Sequence, residues 1–384
     1  MISPISKQTH LADPVATTGD RVYAVCSQNG QFPDPWGGHV PHEMWGVWDH
    51  PIKLLDGFWF AVRDCNTGVT RWLLEADDCT VGSGYTEFSY RLDDVHVTRR
   101  DFVPDGLEAL VVTITVDAPV EHQSMRALIA IFRSDLRPAW LGERAKMLDH
   151  PDTVAVINEA RVLFRDSGNP WFCVVGSDVD PVTIDIGSGV TLLQQTTGQG
   201  TNASLTFPLT EGVPCTLFVA GSSASERDAL ATYREIRVGA ETLFTAKQTL
   251  YAGLARQSRL LSPDEAVNTA FQWAKINCQM LARDVPGRGL GAGAGLPTYP
   301  WWFGIDCEYA ALPMLQTGQF DLVKATLNLL KQTSEQHNVD EPGRVIHELT
   351  TTSVVYNPGN LVETPAFVRA VCLLYTSPSP RDRS

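Results

Sequence analysis

Hydrophobic and polar positions alternate with a period of two through the first half of the chain. In LVVTITV the residues Leu110, Val112, Ile114 and Val116 fall on one face. Val182, Ile184 and Ile186 alternate with Thr183 and Asp185, and Leu205, Phe207 and Leu209 repeat the pattern. From about residue 20 to about 222, runs of this kind are separated by Gly, Pro, Asn and Asp. Strands with one apolar face pair antiparallel and bury that face against a second sheet, so the pattern predicts one large β-sandwich rather than a βαβ fold.

The period changes at Ser225. SERD reads as a capping box, after which Leu230, Tyr233 and Ile236 recur at helical spacing, with Gly239 expected to interrupt the helix. A second apolar stripe follows through Leu243, Leu250 and Leu254. SPDE at 262–265 predicts another helix, with Ser262 as N-cap, Pro263 just inside and Glu265 closing the box. Its buried face is expected at Val267, Phe271, Ala274, Cys278 and Leu281, and two more helices are expected over Glu308–Leu315 and Phe320–Thr333, separated by Gly318. The predicted order is a β-sandwich over 1–224, a helical linker over 225–261 and an all-α domain from 262.

The last stretch, CLLYTSPSPRD, reads either as a Ser/Pro-rich disordered tail or, by its residue-for-residue resemblance, as a translated sequencing-library transposase adapter, which the abrupt switch out of the helical pattern ETPAFVRAV favours. Residues 372–384 are therefore expected to be a non-native tail, and the natural protein is expected to continue beyond Val371.

Composition narrows the function. A net charge of −14 with no Lys/Arg cluster argues against nucleic acid as a partner. No basic leader with an apolar segment opens the chain, and no stretch reaches the roughly 20 apolar residues that cross a bilayer. The expectation is a soluble, cytoplasmic protein with no membrane partner. Cysteines 26, 65, 79, 173, 215, 278 and 307 are scattered without metal spacing and read as small buried thiols.

Three segments could carry chemistry. The run Gly287, Gly289, Gly291, Gly293, Gly295 superficially suggests a phosphate loop, but it follows a helix rather than a strand and lacks GK[ST]. A flexible loop allowing close backbone approach is the better reading. His39, His42, Glu43 and His50 lack the helical spacing of HExxH, so no metal is expected. YPWWFGID, residues 299–306, sets four rings beside one carboxylate without core periodicity. A pyranose stacks its C–H face on an aromatic plane and donates hydroxyls to a carboxylate, so Trp301 or Trp302 would be the platform and Asp306 the clamp. The bland alternative has the two tryptophans plugging a gap between helices. His347, Glu348, Tyr356, Asn357, Asn360 and Glu363 form a second polar cluster, in loops that would converge with the first at one end of an α/α toroid.

GLPTYPWWFGIDCEYAALPMLQTGQFDLVKATLNLLK, with GRVIHE, VVYNPGN and ETPAFVRAV after it, resembles the start of the (α/α)6 catalytic domain of bacterial glycogen-debranching amylo-α-1,6-glucosidases, relatives of glucoamylases. MWGVWDHPIKLLDGFWFAVRD and VTRRDFVPDG are similar to the β-domain that precedes it. The resemblance implies an antiparallel super-sandwich followed by an incomplete (α/α)6 toroid over 262–371, acting on an α-glucan or oligosaccharide with no cofactor. It implies that Asp306 grips hydroxyls of the sugar in the cleaved subsite, walled by the preceding aromatics, with Glu348 and Glu363 in the next active-end loop. The family often has Arg directly before this Asp, where this chain has Ile305. Inversion needs an acid and a base about 6.5–9.5 Å apart, which the resemblance places beyond Val371, so a fragment with substrate-binding residues and no catalytic pair is expected. A disaccharide phosphorylase of the same architecture and a non-catalytic carbohydrate-binding protein are the alternatives.

Overall fold

The computed structural model describes residues 2–33, 44–93, 95–118, 125–158, 160–190 and 198–376. His39, His42 and Glu43 lie outside these residues, as does the end of the chain from 377. Two compact units are formed: one from Pro4–Ala139 and Met147–Lys247, the other from Met1–Ser3, Trp140–Lys146 and Gln248–Ser384.

The first unit holds two antiparallel sheets, of nine and eight strands among the described residues. Ala109–Asp117 lies inside the larger sheet, between Val95–Phe102 and Cys215–Ser222. Leu110, Val112, Ile114 and Val116 enter the core shared with Leu55, Phe58, Phe60, Leu128 and Phe207 of the smaller sheet, as the period-two pattern requires. Ala109 and Val111 point the other way, where a second core contains Tyr233 and Ile236 of the first helix, α1 (Glu226–Arg256). Both faces of this sheet are thus covered, one by a sheet and one by a helix. Val182 is exposed and Ile186 partly so, because Thr183–Ile186 is an edge strand of the smaller sheet, paired on one side with Asn202–Leu209.

α1 runs unbroken through Gly239 for 31 residues, contrary to the expected interruption. A glycine weakens a helix without breaking it when flanking turns are packed, as Tyr233, Ile236 and the half-buried Leu243 are here. Lys247 anchors this stretch, with its ammonium on the Thr18 carbonyl at 2.8 Å and on Asp105 at 2.6 Å.

The second unit contains α2 (Glu265–Met280), α3 (Gly304–Gln316), α4 (Phe320–His337) and α5 (Glu363–Thr376). α2 is capped by Asp264, which accepts from the Ala266 amide at 2.9 Å, while Ser262 accepts from the Asp264 amide one step upstream. Its buried residues are Trp273, Lys275 and Ile276, whereas Val267 and Ala274 are exposed. Lys275 explains the rotation: its ammonium bonds the carbonyls of Leu254, Ala255 and Gln257, groups that the end of α1 leaves without helical partners. α5 continues through Cys372 to Thr376, past the expected end of native pattern. Cys65 and Cys372 are exposed and Cys278 half-buried, and the other five cysteines are buried. Among the described residues no helix is long and apolar enough to cross a membrane.

Candidate functional site

The glycine run folds as a hairpin, Ala282–Val285 against Gly289–Ala292, rather than a flexible loop. The close approach expected of it is present at Gly291, where an added Cβ would stand 2.8 Å from the Trp302 indole nitrogen and 2.9 Å from Leu329. Cys307 ties the hairpin to α3, its thiol donating to the Ala292 carbonyl at 3.0 Å, and burial pushes that thiol up to about 12.

A small antiparallel sheet brings the two sequence clusters together. Trp302–Phe303 pairs with Glu348–Leu349, which pairs with Val355–Asn357. The Gly304 amide continues the ladder onto the His347 carbonyl at 2.8 Å, and the His347 amide bonds the Asn357 carbonyl at 3.0 Å. Only glycine fits at 304, since a Cβ there would lie 2.3 Å from the Ile346 carbonyl oxygen. The loop beyond is pinned by Asn338, whose amide donates to the carbonyls of Arg344 and Pro358 at 2.9 and 2.8 Å.

The tryptophans depart from the platform expectation. Trp302 is fully buried among Val285, Cys307, Leu329, Leu330, Ile346 and Leu349, so it plugs the space under the hairpin and offers no face to a ligand. Trp301 is 1% exposed, and its indole N–H donates to Glu348 Oε1 at 2.9 Å. Its ring lies under Trp140, with centroids 4.9 Å apart and planes 27° apart. The exposed rings at this place are Tyr299, edge-on to Trp301 and Phe303, and Tyr356, tilted against Trp140.

Asp306 is exposed in the first turn of α3, where the helix N-terminus favours negative charge. His347 is partly exposed, packs edge-on to Phe303 at 5.5 Å, and shares a 2.7 Å hydrogen bond between Nδ1 and Glu363 Oε1. Glu363 opens α5, fully buried, and also accepts from the Asn360 amide at 2.7 Å and the Asn360 side chain at 3.2 Å. Burial alone would raise its pKa, but bonds from its own backbone, Asn360 and His347 outweigh it and hold the carboxyl below its ordinary value.

Two residues carry no distinguishing signal in the sequence. Trp140 reaches the site from far along the chain, and its backbone carbonyl accepts from the Thr352 hydroxyl at 3.0 Å. Glu308 is 2% exposed and neither carboxyl oxygen has a hydrogen-bond partner. Burial first, and then the Glu363 charge, push it up to about 9, so it carries its proton at neutral pH. It lines a cleft of about 270 Å³ between α3 and α5 with Tyr309, Leu312, Pro365 and Arg369. In the sequence it is a lone acid ahead of the apolar run AALPML, a pattern that marks the start of a helix and nothing more. Among the described residues no group of side chains could hold a metal ion.

No protein-family model matches the chain, and no curated protein matches it. Solved structures do. A bacterial glucoamylase complexed with acarbose superposes with a TM-score of 0.59 at 11% identity, over 97% of this chain and 56% of that one. A protein assigned as a kojibiose phosphorylase, from the human microbiome, gives 0.49 at 9% identity, over 97% of this chain and 53% of that one. A family GH92 α-mannosidase from Bacteroides thetaiotaomicron gives 0.47 at 10% identity, over 98% of this chain and 53% of that one. The chain therefore has the glucoamylase-like fold, antiparallel sheets followed by helices, and spans 56% of the length of the glucoamylase it matches.

Proposed function

We propose that this chain carries the sugar-holding part of a glycoside hydrolase acting on α-glucosidic linkages, of glucoamylase or debranching type. The observation that supports it most is the three-stranded sheet that sets exposed Asp306 and the His347–Glu363 pair beside the Trp301–Glu348 pair. In this reading Asp306 accepts hydroxyls of the bound ring, and His347, oriented by Glu363, presents its other nitrogen to the same ligand. Glu348 acts through Trp301 by fixing the indole, while Tyr299 and Tyr356 supply aromatic contact. Trp302 serves by supporting the sheet from below.

The helices α2 to α5 belong, in this reading, to an (α/α)6 toroid of which this chain holds the early part. Hydrolysis would proceed by inversion, in which a carboxylic acid protonates the leaving oxygen and a carboxylate activates water on the opposite face of the sugar ring. The fold shared with a glucoamylase bound to acarbose supports an α-glucoside as the ligand class.

Titrating the chain with maltotriose and with acarbose while following tryptophan fluorescence tests the reading. A saturable response that Asp306→Ala weakens at least tenfold is expected. Absence of a response to every α-glucoside tried, or an unchanged affinity in Asp306→Ala, would overturn it.

A further inference from the structure

Glu308 is buried without a partner on a helix face that otherwise lines an apolar cleft. Neither of its carboxyl oxygens meets a hydrogen-bond donor, although the side chain is 2% exposed. The cleft, of about 270 Å³, lies between α3 and α5. Ile305, Glu308 and Leu312 recur at helical spacing on the α3 side, and Val362, Ala366 and Arg369 do so on the α5 side. Arg369 is exposed, and among the described residues it forms no ion pair, with Glu308 or with any other acid.

A carboxyl at this position does nothing for packing, since a leucine or methionine would fill the space without an unmet polar group. Glu363 offers it no bond, because His347 and Asn360 occupy that carboxylate. Burial and the Glu363 charge keep Glu308 protonated at neutral pH, so it presents an O–H donor to the cleft. Arg369 presents a guanidinium with its N–H groups unpaired. Two donors on facing helices, one of them cationic, call for an anionic acceptor. A carboxylate meets both, taking parallel N–H bonds from the guanidinium and a charge-assisted bond from the acid. The aliphatic walls at Ile305, Leu312, Val362 and Ala366 call for an apolar body on the same ligand. A polyol would set its hydroxyls against those walls without partners, and an ammonium ion would meet the charge of Arg369. The net charge of −14 opposes anions at long range, but physiological salt screens it beyond about 8 Å, inside which Arg369 acts. The volume falls below the roughly 300–1,000 Å³ of pockets for drug-sized ligands, so the ligand is small.

We propose that the cleft between α3 and α5 binds a small monocarboxylate with an aliphatic body, its carboxylate held by Arg369 and Glu308 and its chain lying against Ile305, Leu312 and Ala366. The proposal concerns a second class of ligand and does not depend on reading the Asp306 region as a sugar site. A ligand that joins Glu308 to Arg369 ties α3 to α5, so its binding stabilises the folded helical unit.

Titrating the full chain at pH 7 with hexanoate, hexan-1-ol and hexylamine, followed by saturation-transfer NMR and by thermal melts, tests this. Hexanoate should bind saturably with a Kd of about 0.1–1 mM and raise the melting temperature. The alcohol and the amine should bind about tenfold more weakly or not at all. Arg369→Ala and Glu308→Leu should each lose about tenfold toward hexanoate, whereas Glu308→Gln, which keeps a donor, should lose about threefold or less. Ala366→Phe fills the cleft and should abolish binding. Should Glu308→Leu or Ala366→Phe fail to fold by circular dichroism, the exposed Arg369 variant and the ligand series decide. No hexanoate binding up to about 20 mM, equal affinity for hexanoate and hexan-1-ol, or undiminished affinity in Arg369→Ala overturns the proposal.

Discussion

Glu363 and His347 meet at 2.7 Å, Oε1 to Nδ1, with the carboxylate sealed from solvent and the imidazole partly open to it. An ionised carboxylate only accepts, so Nδ1 carries the hydrogen and Nε2 is the atom left to face outward. Glu363→Gln replaces one acceptor oxygen by a donor amide facing other donors. It should cost about 1.5–3 kcal/mol of unfolding free energy at pH 7, measured by urea titration. Because the folded pKa of Glu363 lies below its unfolded value, its contribution is present above about pH 4.5 and disappears as pH falls through the folded value. The gap between wild type and variant should therefore close below about pH 4.5.

Glu308 has the opposite sign. Its folded pKa of about 9 lies above its unfolded value of 4.5, so between those limits the folded chain holds a proton that the unfolded chain has released. Stability then falls as pH rises across that window. Glu308→Gln keeps the shape and removes the titration. Its stability should vary less between pH 5 and pH 9 than that of wild type, and it should exceed wild type at the alkaline end. Parallel pH profiles from thermal melts would contradict this.

Gly239 sits inside α1 with open space beside it, a built Cβ meeting nothing closer than Leu243 at 3.6 Å. Gly239→Ala should add about 0.5–1 kcal/mol of stability, since the helical backbone suits alanine and the unfolded chain loses freedom. A rise in melting temperature checks it.

Gly291 should behave in reverse. Its Cβ would press on the Trp302 indole and on Leu329, both within a closed core, so Gly291→Ala should destabilise by about 1–3 kcal/mol. Tryptophan emission should shift as well if Trp302 moves.

Local pattern was informative wherever one periodicity governed one face. Leu110 through Val116, and Leu205 with Phe207, behave as their alternation predicts because a sheet face is buried as a unit. The rule failed for Val182, where the strand lies at an edge and its position in the sheet is a property of the whole topology. It failed again in α2, where a lysine is buried beside Trp273 and Ile276 because it terminates a neighbouring helix, a partnership invisible to hydropathy. Proximity of YPWWFGID to the 343–363 loops was anticipated, but the means, a three-stranded sheet, was not. The platform expected at Trp301 or Trp302 is absent because both are buried, as the gap-filling alternative has it, and aromatic content says nothing of what lies on top. Trp140, well over a hundred residues upstream of Trp301, could only be found in three dimensions.

The Trp140–Lys146 excursion makes the two units genetically interleaved. The chain leaves the sandwich after Ala139, contributes seven residues to the helical unit, and returns at Met147. No single cut yields both modules whole. An expression piece beginning at residue 248 or 262 would lose the indole that roofs Trp301, and homologous recombination that swaps sandwiches would carry a foreign loop into the helical partner. Any exchange of modules by evolution or by design at this fold must therefore transplant two segments of chain together.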